Sequence, residues 1–205
     1  SLNQNAIFVG GQKRIPVITP DDLDDIPTSP AKNGFQFLYD FSMPPIVAFV
    51  AAGSNSGKTT LLEKVIPILT GRGLRVAVIK HAHERFDIDH PGKDSYRFTQ
   101  AGAETVLVSS RRKMAMIRLV TDERPLSSLL PFVTDHDIVF IEGYKREAEW
   151  KIEVHREATG RRPMCLDDPS FKALVTDGRF DVSIPVFHLD DAPGVADFIL
   201  RSFGL

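Results

Sequence analysis

The feature that most constrains the fold is a loop rich in glycine and serine that joins an apolar strand to a helix. The loop, Ala52-Gly-Ser-Asn-Ser-Gly-Lys-Thr-Thr60, follows the apolar run 46–51 and precedes the periodically apolar run 61–69. This order is typical of a phosphate-binding loop (P-loop), in which backbone N–H groups and the start of a helix hold a polyphosphate. The sequence therefore predicts a nucleotide site within an α/β fold.

Residues of this loop are expected to contribute in different ways. Lys58 is predicted to reach the β- and γ-phosphates, and the Thr59 hydroxyl to bind Mg²⁺. Gly57 allows the backbone to approach the phosphate closely. The strict motif begins with Gly where this chain has Ala52, so we expect Gly53 to provide the turn. The alternative is a chance Gly-Lys-Thr at a helix start. The predicted nucleotide contacts in the loop are Gly53, Ser54, Asn55, Ser56, Gly57, Lys58, Thr59 and Thr60.

Composition excludes several classes of protein. The formal charge of −2 over 205 residues argues against a general nucleic-acid binder. A single cysteine, Cys165, excludes an internal disulfide framework and fits a reducing compartment. No apolar run approaches the roughly 20 residues that span a bilayer, and no secretory signal is visible at the N-terminus. These observations predict a cytoplasmic protein that does not bind membranes.

The chain divides into an arm and a domain. Residues 1–44 contain five prolines and the acidic run 21–25, which favour an extended arm or linker with short strands or anchors at 7–9 and 35–39. From residue 45, strands and helices alternate, which predicts a three-layer P-loop NTPase fold with a mostly parallel sheet and helices on both faces. Predicted strands are 46–51, 75–80, 104–109, 113–120, 137–142, 150–155, 173–175 and 186–189. Strands 104–109 and 113–120 form a hairpin. Predicted helices are 58–70, 94–101, 126–133 and 194–203.

A second acidic element is expected to complete the nucleotide site. The buried strand 138–142 ends in Glu142, whose carboxylate can hold Mg²⁺ directly or through water. A strand that ends in a solvated acid is the alternative. Because Lys58 and Thr59 are also present, we favour Glu142 as a metal ligand and catalytic group.

A polar loop after the second strand carries further candidates. It lies at the carboxyl edge of the predicted sheet, where ligands bind in open α/β folds. Asp87 and Asp89 are candidates to hold Mg²⁺ or to orient an attacking water, and Lys93 to contact the nucleotide. The histidines of the loop, His81, His83 and His90, leave a zinc site open as an alternative. A solvated polar loop is the other alternative.

Asp177 is a candidate reader of the base. It follows the predicted strand 173–175, and in many GTPases an Asp in such a place accepts hydrogen bonds from guanine. Those GTPases place a Lys two residues earlier, where this chain has Val175. An ordinary loop aspartate is the alternative.

Four segments together resemble one family. They are Lys80-His-Ala-His83, Phe86-Asp-Ile-Asp-His-Pro-Gly-Lys-Asp-Ser-Tyr96, Ala101-Gly-Ala103 and Glu142-Gly-Tyr-Lys145. In this order they are similar to the molybdopterin-guanine dinucleotide biosynthesis protein B (MobB) family, over about residues 45–205.

The resemblance implies a GTP-binding protein with weak GTPase activity, usually a homodimer. It would assist the guanylyltransferase that joins GMP to molybdopterin. By the same resemblance, residues 52–60 would hold phosphates and Mg²⁺, and residues 81–93 and 142–145 would surround the γ-phosphate or the pterin partner. Two alternatives stay open: a small-molecule P-loop kinase, with Arg111, Arg112, Arg161 or Arg162 in a lid, and a non-catalytic nucleotide-dependent scaffold.

Overall fold

A computed structural model describes residues 6–8, 14–16, 43–82, 86 and 88–205. Contacts between Cα atoms divide the chain into two compact units, Ser1–Phe41 and Ser42–Leu205. In the first unit, β1 (Ala6–Phe8) pairs antiparallel with β2 (Arg14–Pro16). The predicted segment 35–39 lies outside the described residues.

The second unit is built on a parallel sheet of six strands in the order β10-β9-β8-β3-β7-β4. Every neighbouring pair is parallel, which confirms the predicted sheet. The strands are β3 (Ile46–Val50), β4 (Val76–Lys80), β7 (Ile138–Glu142), β8 (Lys151–His155), β9 (Phe171–Thr176) and β10 (Val186–Phe187).

Side chains alternate between two hydrophobic clusters, one on each face of the sheet. On one face, Val47 and Phe49 pack with the helices α1 (Lys58–Gly71) and α3 (Ala192–Phe203). On the other face, Ala48 packs in a cluster that includes Leu126 and Tyr144. Because both faces of β3 are covered by apolar groups, its sequence is apolar throughout.

The segment predicted as one helix at 126–133 forms two 3-10 helices, Leu126–Ser128 and Leu130–Val133. Pro131 lies in the first turn of the second one, and proline cannot donate the backbone hydrogen bond that a continuous helix needs. These short helices form the covering layer on the second face of the sheet.

A separate hairpin follows α2 (Asp94–Gln100), as predicted. Its strands β5 (Thr105–Ser109) and β6 (Met114–Arg118) are antiparallel, with Leu107 opposite Met116. Large apolar side chains on it are exposed, including Leu107 at 64% and Met114 at 72% of their surface. None of the helices in the described part of the chain is long and apolar enough to cross a membrane.

Several strands of the parallel sheet end in, or lead directly into, polar residues. The P-loop follows β3, and the last residues of β4, β7, β8 and β9 are Lys80, Glu142, His155 and Thr176. Since all these strands run in one direction, these residues meet at the carboxyl edge of the sheet.

Candidate functional site

The P-loop leads into α1 through left-handed backbone. Gly57, the residue before α1, has φ 93°, which favours glycine, and Asn55 has φ 61°. No side chain caps the start of α1. The first N–H groups of the helix therefore remain available to an anion, and the helix dipole favours negative charge there.

Lys58 folds back over this loop. Its Nζ donates to the Gly53 carbonyl oxygen at 3.3 Å and to Ser56 Oγ at 3.3 Å. Ser56 is 4% exposed, and its hydroxyl donates to the same carbonyl at 3.4 Å. Burial lowers the pKa of Lys58, while the carboxylate of Glu142 acts in the opposite direction. The ammonium thus lies inside the arc of the P-loop, where a phosphate is expected.

Glu142 and Thr59 meet beside Lys58. Thr59 Oγ1 donates to Glu142 Oε1 at 3.0 Å, and Lys80 Nζ lies 3.4 Å from Glu142 Oε2. A hydroxyl and a carboxylate are oxygen ligands of the kind that Mg²⁺ prefers, with phosphate oxygens and water completing its shell. The donor set therefore fits Mg²⁺, which Thr59 Oγ1 and Glu142 would hold.

These groups open into one cavity of about 1030 Å³. The P-loop forms one wall, and the ends of β4 and β7 with the residues after them form the other. Beyond the P-loop, the lining includes Lys80, His81, Phe86, Glu123, Glu142, Gly143, Tyr144, Lys145, Arg146 and Glu147. The cavity thus carries both basic and acidic side chains.

Tyr144 and His81 form an ordered wall next to Glu142. Their rings lie 4.5 Å apart between centroids, and His81 Nε2 lies 2.5 Å from Glu123 Oε1. Tyr144 donates its hydroxyl to the Arg124 carbonyl at 3.0 Å, and burial raises the pKa of that hydroxyl. Gly143 has φ 109°, and a Cβ there would lie 2.7 Å from His81 Cβ. Glycine at 143 therefore allows His81 to approach β7.

The zinc alternative finds no support in the described part of the chain. There, no three His, Cys, Asp or Glu side chains lie together in a way that could hold a metal ion. His81 contacts Tyr144 and Glu123, and His90 is exposed. His83 lies outside the described residues.

Asp89 and Lys93, two candidates from the polar loop before α2, are not among the described residues that line the cavity. Asp89 Oδ1 accepts hydrogen bonds from Ser95 Oγ at 2.8 Å and from the His90 N–H at 3.1 Å. Its other oxygen, Oδ2, is buried and has no hydrogen-bond partner among the described residues. Lys93 is exposed and immediately precedes α2. Asp87 lies outside the described residues.

Asp177 lies on the other side of the P-loop. It follows β9, and in the sheet β9 and β8 lie on the opposite side of β3 from β7. Asp177 Oδ1 accepts the Glu157 N–H at 2.7 Å, and this hydrogen bond lowers the pKa of Asp177. Asp177 does not line the cavity that holds Glu142.

Two arginines from the loop between β8 and β9 also approach the P-loop. Arg161 Nη1 donates to the Ala52 carbonyl at 3.1 Å. Arg156 Nη2 lies 3.3 Å from the position that a Cβ on Gly57 would take. Sequence reasoning considered Arg161 only as a lid residue and did not identify Arg156. The sequence signal that could have drawn attention to this loop was the alternation of polar residues at 151, 153 and 155 in the otherwise apolar strand that precedes it.

Comparison with known proteins identifies relatives over most of the chain. Residues 46–177 match the family described as MobB, molybdopterin guanine dinucleotide synthesis protein B. A molybdopterin-guanine dinucleotide biosynthesis adapter protein of Escherichia coli is 38% identical over 167 residues, covering 78% of this chain and 94% of that protein. The adapter protein of Haemophilus influenzae is 32% identical over 171 residues, covering 80% and 93%.

Comparison with solved structures identifies proteins of the same family. A crystal structure of molybdopterin-guanine biosynthesis protein B (mobB) superposes with a TM-score of 0.60 at 31% identity, over 78% of this chain and 99% of that one. The Bacillus subtilis MobB structure gives a TM-score of 0.59 at 25% identity, over 77% and 96%. The family match over residues 46–177, the adapter-protein relatives and the shared P-loop fold show that this chain belongs to the MobB family.

Proposed function

We propose that this chain binds GTP with Mg²⁺ at its P-loop, hydrolyses it slowly, and acts as an adapter in the formation of molybdopterin guanine dinucleotide. The hydrogen bond between Thr59 Oγ1 and Glu142 Oε1, beside Lys58, carries the proposal. It brings the expected metal-binding hydroxyl and carboxylate together at the mouth of the loop. Family membership supports the pathway.

In this proposal each residue has a separate task at the triphosphate. Backbone N–H groups of residues 53–60 hold the phosphate oxygens, and Lys58 neutralises charge on the β- and γ-phosphates. Thr59 and Glu142 hold Mg²⁺, which when bound would polarise the phosphoryl group. Glu142 also orients the attacking water. Alternatively, Asp87 or Asp89 orients the attacking water in place of Glu142. The buried Oδ2 of Asp89, which has no hydrogen-bond partner among the described residues, supports this alternative.

Guanine specificity is assigned to Asp177. A carboxylate accepts hydrogen bonds from two donors at one edge of guanine, whereas adenine offers no such pair. Its place at the end of β9, on the side of the P-loop away from Glu142, fits the base end of a nucleotide. The contact of Asp177 with the Glu157 N–H orients its carboxylate.

The partner in this proposal is the guanylyltransferase that joins GMP to molybdopterin. The adapter-protein names of the relatives support an accessory role. The part of the cavity beyond the P-loop carries Lys145 and Arg146, which suits a phosphorylated pterin or an acidic partner surface. Lys93 is exposed at the start of α2 and is available to the same partner.

We further propose a homodimer that forms through the hairpin. Leu107 and Met116 lie opposite each other on β5 and β6, and both are exposed. A contiguous exposed apolar surface on a two-stranded hairpin is typical of a protein interface. A second copy of this chain offers a matching surface.

A reconstituted assay tests the adapter role. Purified guanylyltransferase, molybdopterin, GTP and Mg²⁺ are combined with and without this protein, and guanine dinucleotide is quantified. The proposal predicts a higher rate with the unaltered protein and little increase with Lys58→Ala. No stimulation by the unaltered protein would exclude the adapter role, and equal stimulation by Lys58→Ala would separate that role from the P-loop.

A further inference from the structure

We propose that Arg161 forms the base-side wall of the nucleotide site, with its guanidinium plane stacked on the purine ring. The inference rests on the proposed binding of a nucleoside triphosphate at the P-loop. It assigns a specificity-determining role to a loop, residues 156–170, that is remote from the P-loop in sequence and outside the lining of the large cavity.

Arg161 lies directly against the backbone of the P-loop. In addition to the hydrogen bond with the Ala52 carbonyl, a Cβ on Gly53 would lie 2.7 Å from Arg161 Nε and 2.8 Å from Cζ. The guanidinium therefore occupies the space that a side chain at 53 would need. Arg161 is nevertheless exposed, so the P-loop covers only part of the group.

The side on which Arg161 lies is the side on which a base is expected. The strand order β9-β8-β3-β7 places the loop after β8 and Asp177 on one side of the P-loop, and Glu142 on the other. A triphosphate with its γ-phosphate and metal at Glu142 directs its other end, the nucleoside, away from Glu142. Arg161 and Asp177 then face the same end of the ligand.

Buried polar side chains of β8 fix the loop that carries Arg161. His155 is 3% exposed and lies between Thr176 Oγ1, at 2.9 Å from Nδ1, and the Arg161 carbonyl, at 2.8 Å from Nε2. Glu153 is fully buried and accepts the N–H groups of Met164 and Cys165, both at 2.8 Å. The backbone of Arg161 is thus tied to the strand end that precedes Asp177.

The chemistry of Arg161 suits a planar aromatic ligand. A guanidinium is flat, permanently charged and weakly hydrated, and it stacks on aromatic rings. Arg161 forms no salt bridge with any carboxylate of the described residues. GTPases with a base-reading aspartate place a lysine two residues before it, but Val175 is buried in the core here. Arg161 supplies a cation at this place from a different loop.

Binding of GTP and of inorganic tripolyphosphate, each with Mg²⁺, separates the base from the phosphates. For Arg161→Leu we expect about tenfold weaker GTP binding, the value of one desolvated stacking contact, and unchanged tripolyphosphate binding. Arg161→Lys keeps the positive charge but lacks the planar guanidinium, so it should restore GTP binding only in part. Arg162→Leu is the matched control, because Arg162 pairs with Asp167 on the same loop. Thermal unfolding verifies that each variant folds.

Each other outcome is decisive. Equal loss of both ligands with Arg161→Leu would make Arg161 a phosphate ligand and overturn the stacking role. Unchanged binding of both ligands by Arg161→Leu would also overturn the stacking role, and so would full GTP binding by Arg161→Lys. If the unaltered protein bound tripolyphosphate but no GTP, Arg161 and the proposed function would both fail. If Lys58→Ala bound neither ligand while Arg161→Leu bound both normally, the P-loop proposal would stand. Only the role of Arg161 would then be excluded.

Discussion

Thr59 and Glu142 are 83 residues apart in sequence and meet through a 3.0 Å hydrogen bond from Thr59 Oγ1 to Glu142 Oε1. Thr59 is the second residue of α1, the helix after β3, and Glu142 ends the neighbouring parallel strand β7. The two oxygen groups that we propose as Mg²⁺ ligands are thereby held together although they belong to separate elements. In the proposed site, such preorganisation would reduce the cost of binding a metal and a triphosphate.

We expect Glu142→Gln to lower GTP hydrolysis strongly, by about a hundredfold, while GTP binding changes little. The amide keeps the size of the side chain but loses the charge that holds the metal and orients water. Phosphate release and GTP affinity are measured on the same preparation, with Asp89→Asn as the comparison. Normal hydrolysis by Glu142→Gln together with a loss in Asp89→Asn would transfer the catalytic role to Asp89.

Asp177→Asn is expected to weaken GTP binding at least tenfold and to spare xanthosine triphosphate. The amide can still accept the Glu157 N–H, so the fold should be kept, but it presents a donor toward the base edge where an acceptor is needed. Competition binding with the two nucleotides provides the measurement. Equal losses for both would indicate a structural role for Asp177.

Stability at low pH should depend on Asp168. Hydrogen bonds from Ser170, followed by the one from Lys151, lower the pKa of Asp168 to about 2. A carboxylate whose pKa is lower in the folded than in the unfolded state stabilises the fold above its unfolded pKa of about 3.9, and this stabilisation is lost as pH falls toward 2. The difference in Tm between the unaltered protein and Asp168→Asn should therefore shrink between pH 5 and pH 2. A constant difference would contradict this assignment.

Removing the apolar surface of the hairpin should shift the protein to a monomer. In the double variant Leu107→Ser and Met116→Ser, both side chains of one cross-strand pair become polar. Analytical ultracentrifugation at several concentrations measures the result, and Lys113→Ser in the turn serves as the control. A dimer that persists in the double variant would place the interface elsewhere.

The parts of the site that lie at strand ends were predictable from the sequence. Lys58, Thr59 and Glu142 follow apolar runs of strand length, and parallel strands bring their carboxyl ends to one edge. The hairpin and the six-stranded sheet were predictable for the same reason, because apolar runs and turn residues alternate along the chain.

The parts that depend on loop conformation were not predictable. Arg161 reaches Ala52 because His155 and Glu153 hold residues 156–170 by buried hydrogen bonds. The polar residues of β8 are visible in the sequence, but the loop atoms that they contact are not. The helix predicted at 126–133 forms two 3-10 helices because Pro131 interrupts it.

Calorimetric titration of the unaltered protein with GTP and with ATP, each with Mg²⁺, tests the central claim most directly. The proposal predicts GTP binding at least tenfold tighter than ATP binding, and a loss of at least tenfold for GTP in Lys58→Ala, the value of a charge-assisted contact of about 1.5–3 kcal/mol. Lys64→Ala, on the same helix and paired at the surface with Asp190, should bind normally. Unchanged GTP affinity in a folded Lys58→Ala variant, or no preference for GTP over ATP, would contradict it.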